Sequence, residues 1–200
     1  MKILCVSDQI DPLVYSSNIK ERFADVDFIL CAGDLPMDYL DFISSSLNKP
    51  LYFVLGNHHA RDQGETGGVH IKTKVVLENG LLIAGLGGSM RYNRGENQFT
   101  EIDMYFEIFR LLLRLFFNRL FHGRYVDILL THAPPRGIHD REDKCHRGFR
   151  AFLWFMSVFR PKYLIHGHIH LYDLSDVRST QWKDTLVINA YSHYIIDTDE

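Results

Sequence analysis

The 200 residues suffice for one folded domain, expected to span 1–200, with a sizeable core. A hydrophobic content of 46% and a net charge of -3 are those of an ordinary soluble protein, and basic residues neither in excess nor clustered argue against nucleic-acid binding. Three cysteines without metal-type spacing, and an opening Met1–Val6 run that turns polar at Ser7-Asp8, argue against a disulfide framework and a secretory leader; a reducing cytoplasm is the expectation.

Ile3–Val6 reads as a short buried strand that stops at Ser7-Asp8. A helical stretch around Asn18–Phe23 follows, then a second buried strand, Phe28–Ala32, ending in Gly33-Asp34. The pattern predicts a helix over Met37–Leu47 and a third apolar run, Leu51–Leu55, ending in Gly56-Asn57-His58-His59. Strands alternating with helices predict parallel βαβ units, whose ligands collect at the carboxyl ends of the strands. Lys72–Glu78, Asn79-Gly80 and Leu81–Ala84 then signal a hairpin with a type I′ turn. The glycine-rich Gly85–Tyr92 is either a phosphate-approaching loop or a plain one, since it lacks nucleotide-loop spacing and no lysine follows.

Glu101–Arg124 predicts a long helix with a polar stripe at Glu107, Arg110, Arg114 and Asn118 amid Leu, Phe and Ile. Burial on a sheet is the expectation; contact of residues 104–121 with a membrane surface or greasy substrate is the alternative. Val126–Thr131 is a fourth apolar run, ending at His132, and the paired prolines of Ala133–Asp140 force an irregular loop. Gly148–Phe159 reads as an apolar helix before a strand at Tyr163–Ile165. Thr185–Ile188 and Tyr194–Ile196 read as two closing strands of a second sheet.

Eight of the eleven histidines fall within 58–59, 132–146 and 166–170. In the extended Gly167-His168-Ile169-His170, residues two apart share a face, so His168 and His170 can reach one point. His166, ahead of the glycine, is expected to be a hydrogen-bonded interior side chain. With Asp8, Asp34, Asn57, His58 and His132, His168 and His170 form a mixed oxygen and nitrogen set suited to Mn, Fe, Zn or Mg. Taken singly, Asp8 and Asp34 could equally cap the helices that follow.

Ser7-Asp8, Gly33-Asp34, Gly56-Asn57-His58, Thr131-His132 and Gly167-His168-Ile169-His170 occur in the order of the calcineurin-like metallophosphoesterase superfamily, whose small single-domain members this chain resembles. The resemblance implies a four-layer α/β/β/α sandwich of two mixed sheets flanked by helices. It implies a phosphoesterase, more a phosphodiesterase than a monoesterase, in which two divalent metal ions convert water to hydroxide. By the same resemblance Asp34 bridges the ions, Asn57, His132 and His168 complete the second, and Asp8 and His170 hold the first. His58 would then protonate the leaving alkoxide or hold the phosphate, and His59 would lie behind the ligands.

One block departs from the pattern. The family's usual Asp-x-His is Asp8-Gln9-Ile10 here, and isoleucine cannot ligate. The site then holds one tight and one loose ion, or Gln9 or Asp11 reaches in, or the first position is empty and the chain is weak or inert. An altered but working pair, with Asp11 as the substitute, is the expectation. Arg91, His146 and Arg147 are candidate substrate contacts, while His139 and Asp140 either read the substrate or are solvated. A lipid-linked phosphate or pyrophosphate is the alternative substrate class.

Overall fold

The computed structural model describes residues 1–58, 66–173 and 176–198. β1 (Lys2–Ser7), β2 (Val26–Cys31) and β3 (Leu51–Phe53) run parallel, linked through α1 (Ile19–Arg22) and α2 (Met37–Leu47). β4 (Val69–His70) adds to β3. β5 (Val75–Glu78) and β6 (Leu81–Leu86) form the expected hairpin, with positive φ at both Asn79 and Gly80 as a type I′ turn needs. β7 (Ser89–Met90) and β8 (Gln98–Phe99) are a short parallel pair ahead of α3 (Glu101–His122). β9 (Ile128–Thr131), α4 (Arg150–Phe159), β10 (Tyr163–His166), β11 (Ser179–Trp182), β12 (Thr185–Asn189) and β13 (Ser192–Asp197) complete the order.

Two mixed sheets result, β13-β1-β2-β3-β4 and β11-β12-β10-β9-β6-β5. Strand alternation assigns their faces. Ile3, Cys5, Phe28 and Leu30 of the first sheet pack with Ile83, Ile128, Leu130, Ile165 and Ile188 of the second. The intervening Leu4, Val6, Ile29 and Cys31 face Ile19, Tyr39, Leu40 and Ile43 of α1 and α2. On the far side, Ala84, Leu129, Leu164 and Val187 meet Met104, Ile108, Leu111 and Leu115 of α3 and Phe152, Phe155 and Phe159 of α4. This is the four-layer sandwich expected from the sequence.

The helix bounds follow local chemistry. α2 begins after Pro36 and stops at Asn48, which takes the left-handed C-cap conformation. α3 opens with a Thr100/Asp103 capping box and closes at Gly123. Gly88 donates its N–H to the Leu55 carbonyl, so the glycine-rich stretch, which runs from the end of β6 through β7, packs against the chain beyond β3.

The tail differs from expectation. Its two strands do not share a sheet: β12 lies parallel to β10, whereas β13 crosses over to run antiparallel to β1. The crossing is pinned where Ala190 N–H donates to the His166 carbonyl and Tyr191 bridges to Ser7. One apolar pattern serves either sheet, so pattern alone did not separate them.

Candidate metal centre

Every ligand candidate follows a parallel strand: Asp8 after β1, Asp34 after β2, Asn57 and His58 after β3, His132 after β9, and His168 and His170 after β10. Asp8, Asp34 and His168 have φ of 63, 54 and 65°, a left-handed conformation that non-glycine residues avoid. Such strain costs on the order of 1–3 kcal/mol per residue and clusters at functional sites.

Asp34 is divided between two tasks. Its Oδ1 accepts the His58 N–H at 3.0 Å, and its Oδ2 lies 3.2 Å from His132 Nε2. His132 is fully buried, with Nδ1 2.7 Å from the Ala32 carbonyl. That oxygen can only accept, so Nδ1 carries a proton and the neutral ring offers its lone pair from Nε2. Asn57 Oδ1 also lies 3.2 Å from that Nε2, while the Asn57 amide donates to Tyr92 Oη at 3.2 Å. Three lone-pair donors thus face one point. His168 is fixed in the same way, its Nε2 2.8 Å from the Cys145 carbonyl, which leaves Nδ1 for ligation. Among the described residues, Asp34, His132 and His168 form a group able to hold a metal ion, with ligand atoms within 4.8 Å of one another.

Asp8 and His170 flank this group. Asp8 Oδ2 accepts from the Ser7 hydroxyl and from the His168 N–H at 2.8 Å. Its Oδ1 is 3.9 Å from His170 Nε2. The His170 ring stacks on Tyr191 at 4.9 Å, and Tyr191 Oη donates to Gln9 Oε1.

The electrostatics call for positive charge. Burial raises the Asp8 pKa, and neighbouring Asp34 pushes it further the same way against His132. Burial opposes an imidazolium at His132, but Asp34 and Asp8 outweigh it and push its pKa up to about 9. His168, lacking so close a carboxylate, is held down to about 3 by burial and by His132. Without metal, a proton on His132 supplies the charge that a cation would bring.

This has a measurable consequence. The raised His132 pKa stabilises the metal-free fold below the ordinary histidine value of 6.5, and the contribution is lost as pH rises through about 9. Each tenfold change in proton affinity is worth about 1.4 kcal/mol, so the loss should be on the order of 3 kcal/mol. Denaturant melts across that range check it. Adding Mn at pH 7 should release about one proton per chain, read with an indicator dye.

A cleft of about 270 Å³ opens over the group, lined by Asp8, Asp34, His58, Cys145, His146, His168 and His170. A larger groove of about 680 Å³ beside α3 holds none of these ligands. The exposed His58 stands at it, as does His146, whose Nδ1 is tethered to Asp143 at 2.9 Å. Cys145 and Tyr92 are site residues that sequence reasoning missed. Cys145 adjoins His146 and Tyr92 ends the glycine-rich stretch, so adjacency to singled-out residues was the available signal.

Several candidate residues are engaged outside the cleft. Asp11 is engaged away from the ligand group: its Oδ1 accepts the Leu13 N–H at 2.7 Å and its Oδ2 meets Ser192 Oγ at 2.6 Å and His193 Nδ1. Arg91 turns toward the start of α3, donating to Asp103 and to the Gln98 carbonyl rather than lining the cleft. Arg147 donates to the Glu142 carbonyl and likewise does not line it. Asp140 braces its own loop through Arg136 and the Gly137 and Gly148 N–H groups. His139 is turned inward: its Nδ1 lies 2.9 Å from His166 Nε2 and its Nε2 2.8 Å from Thr180 Oγ1. His166 is the interior histidine expected, with Nδ1 2.9 Å from the Gly167 carbonyl. Burial holds the pKa of His139 down to about 4 and that of His166 to about 3, so both links are neutral. His59 lies outside the described residues.

The strand ends of the four-layer sandwich thus gather oxygen and nitrogen ligands able to hold a metal ion. The family model for calcineurin-like phosphoesterases matches residues 1–172, and the chain belongs to that family. Among solved structures, TT1561 of Thermus thermophilus matches with a TM-score of 0.65 at 14% identity, over 95% of this chain and 88% of that one. GAP50 of Plasmodium matches with a TM-score of 0.55 at 11% identity, over 94% and 70%. Both likenesses concern the fold. Probable rhamnogalacturonate lyase C of Emericella nidulans is 24% identical over 199 residues, 85% of this chain, which spans 17% of that relative's length.

Proposed function

We propose that the chain is a metal-dependent phosphodiesterase with one tight and one weak cation position. The observation that carries this is the convergence of Asp34 Oδ2, Asn57 Oδ1 and His132 Nε2, with His132 locked by the Ala32 carbonyl. Asp34, Asn57, His132 and His168 would hold the tight ion, and Asp8 and His170, sharing Asp34, the weak one. Manganese, iron, zinc and magnesium all suit such ligands. Divalent ions held there would supply Lewis acidity, screening phosphate charge and acidifying water. His58 would give its proton to the leaving alkoxide, and His146 would contact the phosphate or its substituent. The free thiols of Cys5, Cys31 and Cys145 fit a reducing cytoplasm.

The preference for a diester rests on charge. Among the described residues, no lysine or arginine lines the cleft. A dianionic monoester asks for more positive charge than a monoanionic diester, and Arg91 and Arg147 are engaged elsewhere.

A second reading, an inert binding member, is favoured by the first position alone. Ile10 is 42% exposed and ligates nothing, Asp11 is committed to Ser192 and His193, and Gln9 is held by Tyr191. Metal analysis after dialysis against Mn, with parallel assays on bis(p-nitrophenyl) phosphate and p-nitrophenyl phosphate, separates the two. The expected result is one retained ion per chain, turnover that keeps rising with added Mn, and faster cleavage of the diester. Less than one ion and no turnover would support the inert reading, and faster monoester cleavage would refute the diester preference.

A further inference from the structure

One face of α3 packs on the second sheet through Met104, Ile108, Leu111 and Leu115. The opposite face is also apolar. Phe106, Phe109, Leu113, Phe116, Phe117 and Leu120 are 48–74% exposed. Spacings of three and four put them on one stripe, and Phe117 stacks on Phe121 at 6.3 Å to extend it. Isolated exposed apolar side chains need no explanation, but a continuous stripe of this length marks a surface that something covers.

The charges beside the stripe indicate what covers it. Each acid of the helix is used within the fold. Glu101 accepts the Arg150 and Ala151 N–H groups, Asp103 accepts the Thr100 N–H and pairs with Arg91, and Glu107 pairs with Arg110 at 2.7 Å. Past Glu107 the helix bears only cations. Arg114 has no ion pair among the described residues, and Arg119 lies over the Tyr125 ring at 5.9 Å. The groove of about 680 Å³ along this edge is lined by Leu113, Phe117 and Phe121 together with Arg110, Arg114 and Lys74. A second copy of the chain meeting this stripe with its own would bring more unengaged arginines and no unengaged carboxylate of α3.

We propose that the outer face of α3 docks the protein on an anionic lipid surface, with its phenylalanines and leucines in the acyl boundary and Arg114 and Arg119 at the headgroups. The helix would lie flat, because its other face is core and no helix among the described residues is long and apolar enough to cross a membrane. The inference rests on this surface alone and does not depend on what the cleft hydrolyses.

Flotation with phosphatidylcholine vesicles, with and without about 30% phosphatidylglycerol, tests it at about 0.1 M salt. The unmodified chain should float with the anionic vesicles and not with the neutral ones. The triple variant Phe109→Ser, Leu113→Ser, Phe116→Ser should stay behind, with metal content and melting unchanged. Arg114→Glu with Arg119→Glu should lower binding at least ~10-fold and serves as the readout should the triple variant not fold. Failure of the unmodified chain to float would overturn the proposal. So would a concentration-dependent dimer in sedimentation that the triple variant abolishes, which would assign the stripe to a second copy.

Discussion

Asp34→Asn is expected to lower diester hydrolysis by about 10³-fold and to strip the tight ion. The change keeps shape and removes charge. An asparagine oxygen still accepts the His58 N–H, so the turn after β2 persists. The anionic oxygen facing His132 Nε2 at 3.2 Å is lost, and with it the main force raising the His132 pKa. Metal analysis, turnover and NMR titration of His132 in the metal-free protein read the three consequences separately. Loss of turnover with the ions retained would confine Asp34 to catalysis, and retention of both would sink the proposed centre.

Gly56→Ala is expected to damage the same centre sterically. A Cβ there would lie 2.1 Å from Asp34 Oδ1 and 2.6 Å from His132 Cε1. Neither neighbour can yield, since the His58 N–H holds one and the Ala32 carbonyl the other. Overpacking of this kind costs roughly 1–3 kcal/mol, and displaced ligands should weaken metal binding by about 10–100-fold. Gly67→Ala is the control, because its Cβ would meet only Asp41 Oδ1, at an ordinary 3.9 Å. Thermal melts with and without Mn check both, and a Gly56→Ala protein that melts and binds metal like the control would refute the close approach. Gly167 is under the same constraint, its Cβ position being 1.8 Å from Ser7 Oγ.

The exposed stripe of α3 shows how a pattern can be read correctly and still be incomplete. Glu101–Arg124 predicted a helix, and the capping box and Gly123 bound it as Glu101–His122. Burial on the sheet accounts for one apolar face. The sequence offered burial and surface contact as alternatives, whereas the structure buries one apolar face and leaves a second exposed.

Local order was written in the chain. Alternating apolar strands, the caps of α2 and α3, the Asn79-Gly80 turn and the carboxylates and histidines that end the strands are all short-range signals, because backbone geometry repeats over two to four residues. Which partner each side chain meets was decided by the tertiary structure. Asp11 sits beside a ligand in sequence yet pairs with His193, 182 residues away, because β13 crosses to the first sheet. Arg91 is drawn to the start of α3, and His132 is locked by a carbonyl 100 residues earlier. Neighbouring residues share a backbone path, but contacts across the sandwich depend on which strands lie side by side, and no short stretch of sequence records that.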